Sequence, residues 1–152
     1  MADTDPEGIV SATRVVSASA ERIFELIAEP SSQPSWDGNN NLASAAPGQR
    51  VHGVGDVFKT TLTNGGVREN HVVEFIEGTK IAWRPAEPGK QPPGHLWRWE
   101  LSEINSTLTT VTHTYDFTTL TDPKRLERAH STTPEMLRES MDKLAMLAQR
   151  SA

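Results

Sequence analysis

His113 and Tyr115 stand two residues apart in Val-Thr-His-Thr-Tyr-Asp-Phe, a stretch that alternates like a β-strand. Side chains two apart on a strand share a face, so an imidazole and a phenol would lie side by side. Imidazole titrates near neutral pH and a phenol can donate a hydrogen bond. Such a pair could orient a substrate carbonyl or exchange a proton with an enol. The plain alternative is a core histidine satisfied by ordinary partners. Trp97 and Trp99 repeat the two-residue spacing one strand earlier, and Trp83, Phe75 and His71 lie upstream of them. Large aromatics with a few polar groups are what a small-molecule site is lined with.

Other chemistries are excluded by what is missing. The 152 residues contain no cysteine, which removes disulfides, thiolate nucleophiles and Cys-held metals. Of the five histidines (52, 71, 95, 113, 130) no two are spaced at i, i+2 or i+4, so no metal site is expected. Gly53-Val54-Gly55 lacks the third glycine of a dinucleotide loop, and there is no phosphate-binding loop or nucleophile elbow; no cofactor is expected. Fifteen Lys plus Arg against 20 Asp plus Glu give a net charge of −5, which argues against nucleic acid as a partner. The densest basic cluster, Lys124, Arg125 and Arg128, is interleaved with Glu127 and reads as a solvated helix face. No apolar run approaches the roughly 20 residues that span a bilayer, so integral membrane association is not expected. The acidic start, Met1–Gly8, lacks the features of a secretory signal, and a cytoplasmic location is the expectation.

The elements that must position the aromatic and histidine groups follow from periodicity and punctuation. Residues 1–8 read as a disordered terminus and 9–150 as one domain. Ile9–Val16 is a β-branched strand; Ser19 caps a helix to Leu26 or Ala28 with Ala20, Ile23, Phe24 and Ile27 on one face, and Pro30 ends it. A second short helical turn covers Ser31–Trp36, and one short strand is expected soon after Leu42. From Asp56 the period becomes two: strands at Val57–Leu62, Val67–Ile76, Lys80–Arg84, His95–Leu101 and Leu108–Phe117 are separated by turn residues such as Asn64-Gly65-Gly66. A short helix follows Asp122-Pro123. Thr132 and Glu135 then have capping-box spacing before a long amphipathic helix striped by Leu137, Met141, Leu144 and Ala148.

Side-chain parity assigns the inner face. His95, Trp97, Trp99 and Leu101 oppose Arg98 and Glu100; Val111, His113, Tyr115 and Phe117 oppose a row of threonines. His71, Val73 and Phe75 are expected inward on their strand, as are Ile81 and Trp83 on the next. Met136, Met141 and Leu144 would face them from the last helix. Arg14 has no clear parity. An antiparallel sheet with one apolar face needs a cover, and the long helix is the one long apolar stripe available. One helix cannot fill the hollow of six or seven twisted strands, which leaves room for a cavity.

This order is that of the helix-grip fold, and the chain resembles the START-like (Bet v 1-like, SRPBCC) superfamily, particularly its polyketide cyclase/dehydrase and lipid-transport branch. The likeness is carried by VVSASAERIFELIAEPSSQPSW (Val15–Trp36), VVEFIEGTKIAWRP (Val72–Pro85) and HLWRWELSE…TTVTHTYDF (His95–Phe117). It implies an α+β fold: a twisted antiparallel sheet of about seven strands wrapped around the C-terminal helix, with two short helices after the first strand. It implies a pocket that binds a hydrophobic or aromatic small molecule, polyketide-like or lipid-like. The ligand-lining candidates are then His71, Phe75, Trp83, Trp97, Trp99, Met136, Met141 and Leu144, and the catalytic candidates His113 and Tyr115. Cyclase/dehydratase chemistry, a non-catalytic carrier or sensor, and a protein–protein module of co-chaperone type all stay open, since a fold does not name a function.

Overall fold

The computed structural model describes residues 8–150. Strand β1 (Ile9–Val16) leads into helix α1 (Ala20–Ala28), a tight helical turn (Pro30–Ser32) and helix α2 (Gln33–Trp36). Strands β2 (Leu42–Ser44), β3 (Val57–Leu62), β4 (Val67–Ile76), β5 (Lys80–Ala86), β6 (Leu96–Asn105) and β7 (Leu108–Asp116) follow, then helices α3 (Pro123–His130) and α4 (Pro134–Arg150). The strands form one antiparallel sheet in the order β1-β7-β6-β5-β4-β3-β2. The α+β class, the seven strands, the paired short helices and the long last helix are those the sequence predicts. Of the terminal segment expected to be disordered, residues 1–7 lie outside the described residues. Gly8 is buried, and its carbonyl accepts the Phe117 amide at 2.7 Å.

Local signals account for the helix ends. Ser19 Oγ accepts the Arg22 amide at 3.1 Å, the cap the sequence predicts for α1. At α4 the cap is Thr133, not Thr132: Thr133 Oγ1 accepts the Met136 amide at 3.3 Å. Pro134 explains the shift. A proline fits the first helical position and disfavours helical geometry in the residue before it, so the cap must be residue 133.

Two features decide where space remains between sheet and helix. First, α4 packs on β1, α1 and α2, and only at its margin on β7. Its buried residues Leu137, Met141, Leu144, Ala145 and Ala148 join Ile23, Phe24 and Ile27 of α1 with Val16, Val111 and Leu101 in a continuous core. The inner face of β3–β6 is left to other covers. Second, β4 carries a β-bulge. Val72 pairs with Trp83 and Glu74 with the next residue back, Ala82, so Val73 is the extra residue. A bulge reverses alternation. Arg68, Asn70 and Val72 therefore share the inner face with Phe75, which meets Phe24 edge-on at 5.6 Å. His71 and Val73, expected inward, face the other way.

Candidate functional site

Register builds the aromatic wall. In the β6–β7 ladder Trp97 lies opposite Tyr115 and Trp99 opposite His113, and in the β5–β6 ladder Trp83 lies opposite Trp97. Directly opposed side chains on one face approach closely enough to stack. Trp99 and His113 are nearly parallel, with centroids 3.7 Å apart and planes at 11°; Trp97 and Tyr115 stack at 4.2 Å and 28°. Trp83 meets Phe58 edge-on at 5.3 Å, and Trp36 of α2 meets Trp99 edge-on at 5.2 Å. Such contacts are worth about 0.5–1.5 kcal/mol each beyond the area they bury.

Over it lies a cavity of about 400 Å³, within the roughly 300–1,000 Å³ usual for small-molecule sites. Its floor is Trp83, Trp97, Trp99, His113 and Tyr115. Its roof is the start of α4, with Met136, Leu137 and Ser140, and its far side is β3 and β4, with Thr60, Arg68 and Asn70. The loop after α2 closes one end. Asp37 holds this loop by accepting the amides of Asn39, Asn41 and Leu42 at 3.3, 2.6 and 2.8 Å. The Gly38 amide donates to Ser140 Oγ at 3.0 Å, and Asn39 Nδ2 donates to the Met136 carbonyl at 3.0 Å. A Cβ on Gly38 would come within 2.5 Å of the Glu139 backbone, so only glycine permits this approach.

The polar groups on the floor are neutral. Burial alone pushes the His113 imidazole down to about 3, and burial pushes the Tyr115 phenol up to about 12. Nδ1 of His113 is buried without a hydrogen-bond partner, so Nε2 is the nitrogen that a ligand can reach. An imidazole that stays neutral through the physiological range is a weak base and supplies no imidazolium acid. It remains a competent hydrogen-bonding group, as does the phenol. His95, whose Nδ1 is also buried and unpartnered, is lowered to about 4 by burial and by surrounding arginines.

Trp83, Trp97, Trp99, His113, Tyr115 and Met136, all singled out from sequence, line this one cavity. Four other candidates do not. His71 is turned away by the bulge. Phe75 is inward but packs in the α1 end of the core. Met141 and Leu144, 1% and 0% exposed, lie in filled core one turn and more beyond the cavity roof. Arg14 pairs with Asp142 of α4 at 2.6 Å, away from the cavity. Sequence reasoning missed Arg68 and Asn70, hidden by the bulge. It also missed Arg125 and Arg128, which line the cavity although their helix reads as solvated. Gln33, buried with Nε2 on the Ile27 carbonyl at 3.0 Å, was missed because a polar residue in a four-residue helix carries no periodic signal. Among the described residues no three His, Cys, Asp or Glu side chains gather to hold a metal ion, and no helix is long and apolar enough to cross a membrane.

Residues 7–149 match the family described as "Polyketide cyclase / dehydrase and lipid transport". An uncharacterized protein of Mycobacterium tuberculosis, Rv0088, is 31% identical over 115 residues, which are 72% of this chain and 48% of that protein. The chain thus spans about half the length of the curated relatives it matches. Among solved structures, protein MLL2253 from Mesorhizobium loti superposes with a TM-score of 0.70 at 16% identity, over 95% of this chain and 98% of that one. A protein of Mycobacterium smegmatis described as START superfamily gives 0.66 at 16% identity, over 95% and 99%. At such identities the likeness is one of fold.

Proposed function

Since this chain belongs to the polyketide cyclase/dehydrase and lipid-transport family, we propose that it binds a hydrophobic or aromatic small molecule between its sheet and the start of its C-terminal helix. The observation that carries this reading is the preformed cavity of about 400 Å³ over stacked Trp97–Tyr115 and Trp99–His113 pairs. A flat, apolar or conjugated body would lie on these rings. Neutral His113 and Tyr115 would hydrogen-bond to a carbonyl or hydroxyl on it. The neutrality of both groups favours a carrier or sensor over acid–base catalysis, because no group on the floor titrates near neutral pH. A cyclase or dehydratase would use the same pair to polarise a carbonyl, and the family description keeps that reading as the second one.

N-phenyl-1-naphthylamine, an uncharged apolar fluorophore, tests the cavity directly. It should bind one per chain with enhanced emission and quench tryptophan fluorescence. Trp97→Ala removes the partly buried ring of the floor and should weaken binding about tenfold or more, the loss expected from one well-stacked aromatic surface. No saturable binding by the folded protein, or an unchanged affinity in that variant, rules the cavity out as the site. Native mass spectrometry of freshly purified protein then separates the two readings. A co-purifying molecule that fresh protein leaves unaltered supports carriage; one that loses water supports dehydration.

A further inference from the structure

The cavity lining carries a net positive charge, although the chain as a whole carries −5. Arg68, Arg125 and Arg128 reach it from β4 and α3; the one acidic residue on its surface is Asp37. Asp37 offsets one of the three charges, but its oxygens accept three backbone amides and it forms no ion pair with an arginine among the described residues. Arg125 is balanced by Glu87 at 2.7 Å and Asp122 at 3.5 Å. Arg68 and Arg128 make no ion pair among the described residues. Arg68 donates to the neighbouring Val67 carbonyl at 3.0 Å, a neutral acceptor. It projects onto the inner face because of the bulge in β4, where Asn70 and Trp83 are nearly fully buried. Glu87 feels the Arg68 charge but makes no ion pair with it, so this half-buried guanidinium has lost hydration without a carboxylate in direct contact.

The field at the rim agrees with that count. Besides burial, the largest influences on the His95 ring are four arginines (125, 68, 84 and 128), all disfavouring its protonation. Arg128 also acts on the Tyr115 phenol, in the sense that favours the anion. The positive charge therefore extends from the mouth to the edge of the aromatic floor.

We infer that the ligand is an amphipathic anion, whose apolar body lies on the tryptophan floor and whose carboxylate or phosphate is held at the mouth by Arg68 and Arg128. Guanidinium groups suit both oxyanions, since their paired N–H donors match two oxygens at once. The inference rests on the cavity being the binding site and adds the sign and position of the ligand's polar end.

A matched pair of probes separates the two. 8-Anilino-1-naphthalenesulfonate is N-phenyl-1-naphthylamine with an added sulfonate. The sulfonated probe should bind at least about tenfold more tightly at low salt, and this advantage should shrink as salt screens the arginines. Dodecanoate or dodecyl phosphate should displace the uncharged probe better than dodecanol, and the tighter of the two anions names the oxyanion. Arg68→Gln and Arg128→Gln, alone and together, should weaken the sulfonated probe far more than the uncharged one and so remove the preference for anions. Arg128 lies on the exposed side of α3, so its variant tests the idea even if the β4 variant misfolds. Binding of both probes with equal affinity, or a preference that survives R128Q and the double variant, overturns the anion inference and leaves the cavity reading standing. Binding of neither probe by folded protein overturns both.

Discussion

His113 shows how one side chain can serve packing and recognition together. Stacked on Trp99 and buried at the cavity floor, it is held neutral because a charge there would lose most of its water with no partner in return. This ties stability to pH with a definite sign. The folded pKa, about 3, lies below the unfolded value near 6.5. Between those limits the unfolded chain binds a proton that the folded chain refuses, so stability is complete above about pH 6.5 and falls on acidification towards pH 3. Each such group contributes a slope of up to about 1.4 kcal/mol per pH unit. Urea unfolding at pH 7, 6 and 5 should show this loss. His113→Phe preserves a flat ring against Trp99 and should flatten the slope by close to one proton. An unaltered slope would mean that His113 titrates normally in the folded protein. His95, lowered to about 4, adds a second contribution of the same sign, so the variant reduces the dependence without abolishing it.

Among the elements, the loop after α2 matters most to the site because it joins two things that sequence keeps far apart. Its Gly38 is pressed against the Glu139–Ser140 backbone of α4, and Asp37 gathers the loop's own amides. Gly38→Ala forces a methyl group to within 2.5 Å of that backbone, so loop and helix must separate. The cost should be about 1–3 kcal/mol in unfolding free energy, as for other overpacked contacts. Release of N-phenyl-1-naphthylamine, followed by stopped flow, should become faster as this end of the cavity loosens. Wild-type stability and release rate in the variant would show that the loop is not seated on α4 in solution.

Element types were legible from residues alone. The proline at 134, the Asn-Gly-Gly turn and the two-residue alternation of β6 and β7 are local signals, and each acts within a few residues of itself. The alternation of β4 misled for a local reason of a different kind. Its Val72-Val73 pair fits either face, and only pairing with β5 reveals which valine is the extra one. His71 and Val73 were misassigned, and Arg68 and Asn70 overlooked, because of that single residue, since a shift of one in a strand exchanges its two faces.

At the scale of the whole molecule, the space under α4 divides into a filled end and a hollow end. Leu144 is enclosed by α1 and β1, while Met136, four-tenths of the helix length or more away, roofs the cavity. Leu144→Ala should cost about 2–5 kcal/mol by urea denaturation, the usual range for a core leucine. Met136→Ala should cost under about 1 kcal/mol, since its side chain already borders empty space, and should instead alter probe affinity. Equal losses at the two positions would mean that the cavity is closed in solution. A bound ligand should also raise the melting temperature in proportion to the logarithm of its concentration above Kd, through the filling of the hollow end.

The amino-acid sequence by itself determined the succession of strands and helices, the aromatic face of β5, β6 and β7, and the exclusion of thiol chemistry, because periodicity, turn residues and composition are properties of contiguous chain. Tertiary structure alone decided which part of α4 would cover core and which would cover space, where the arginines of β4 and α3 would meet, and how His113 would lose its charge. Those outcomes depend on segments some 60 residues apart, such as Arg68 and Arg128, arriving at one place, and no local pattern records the geometry of that arrival.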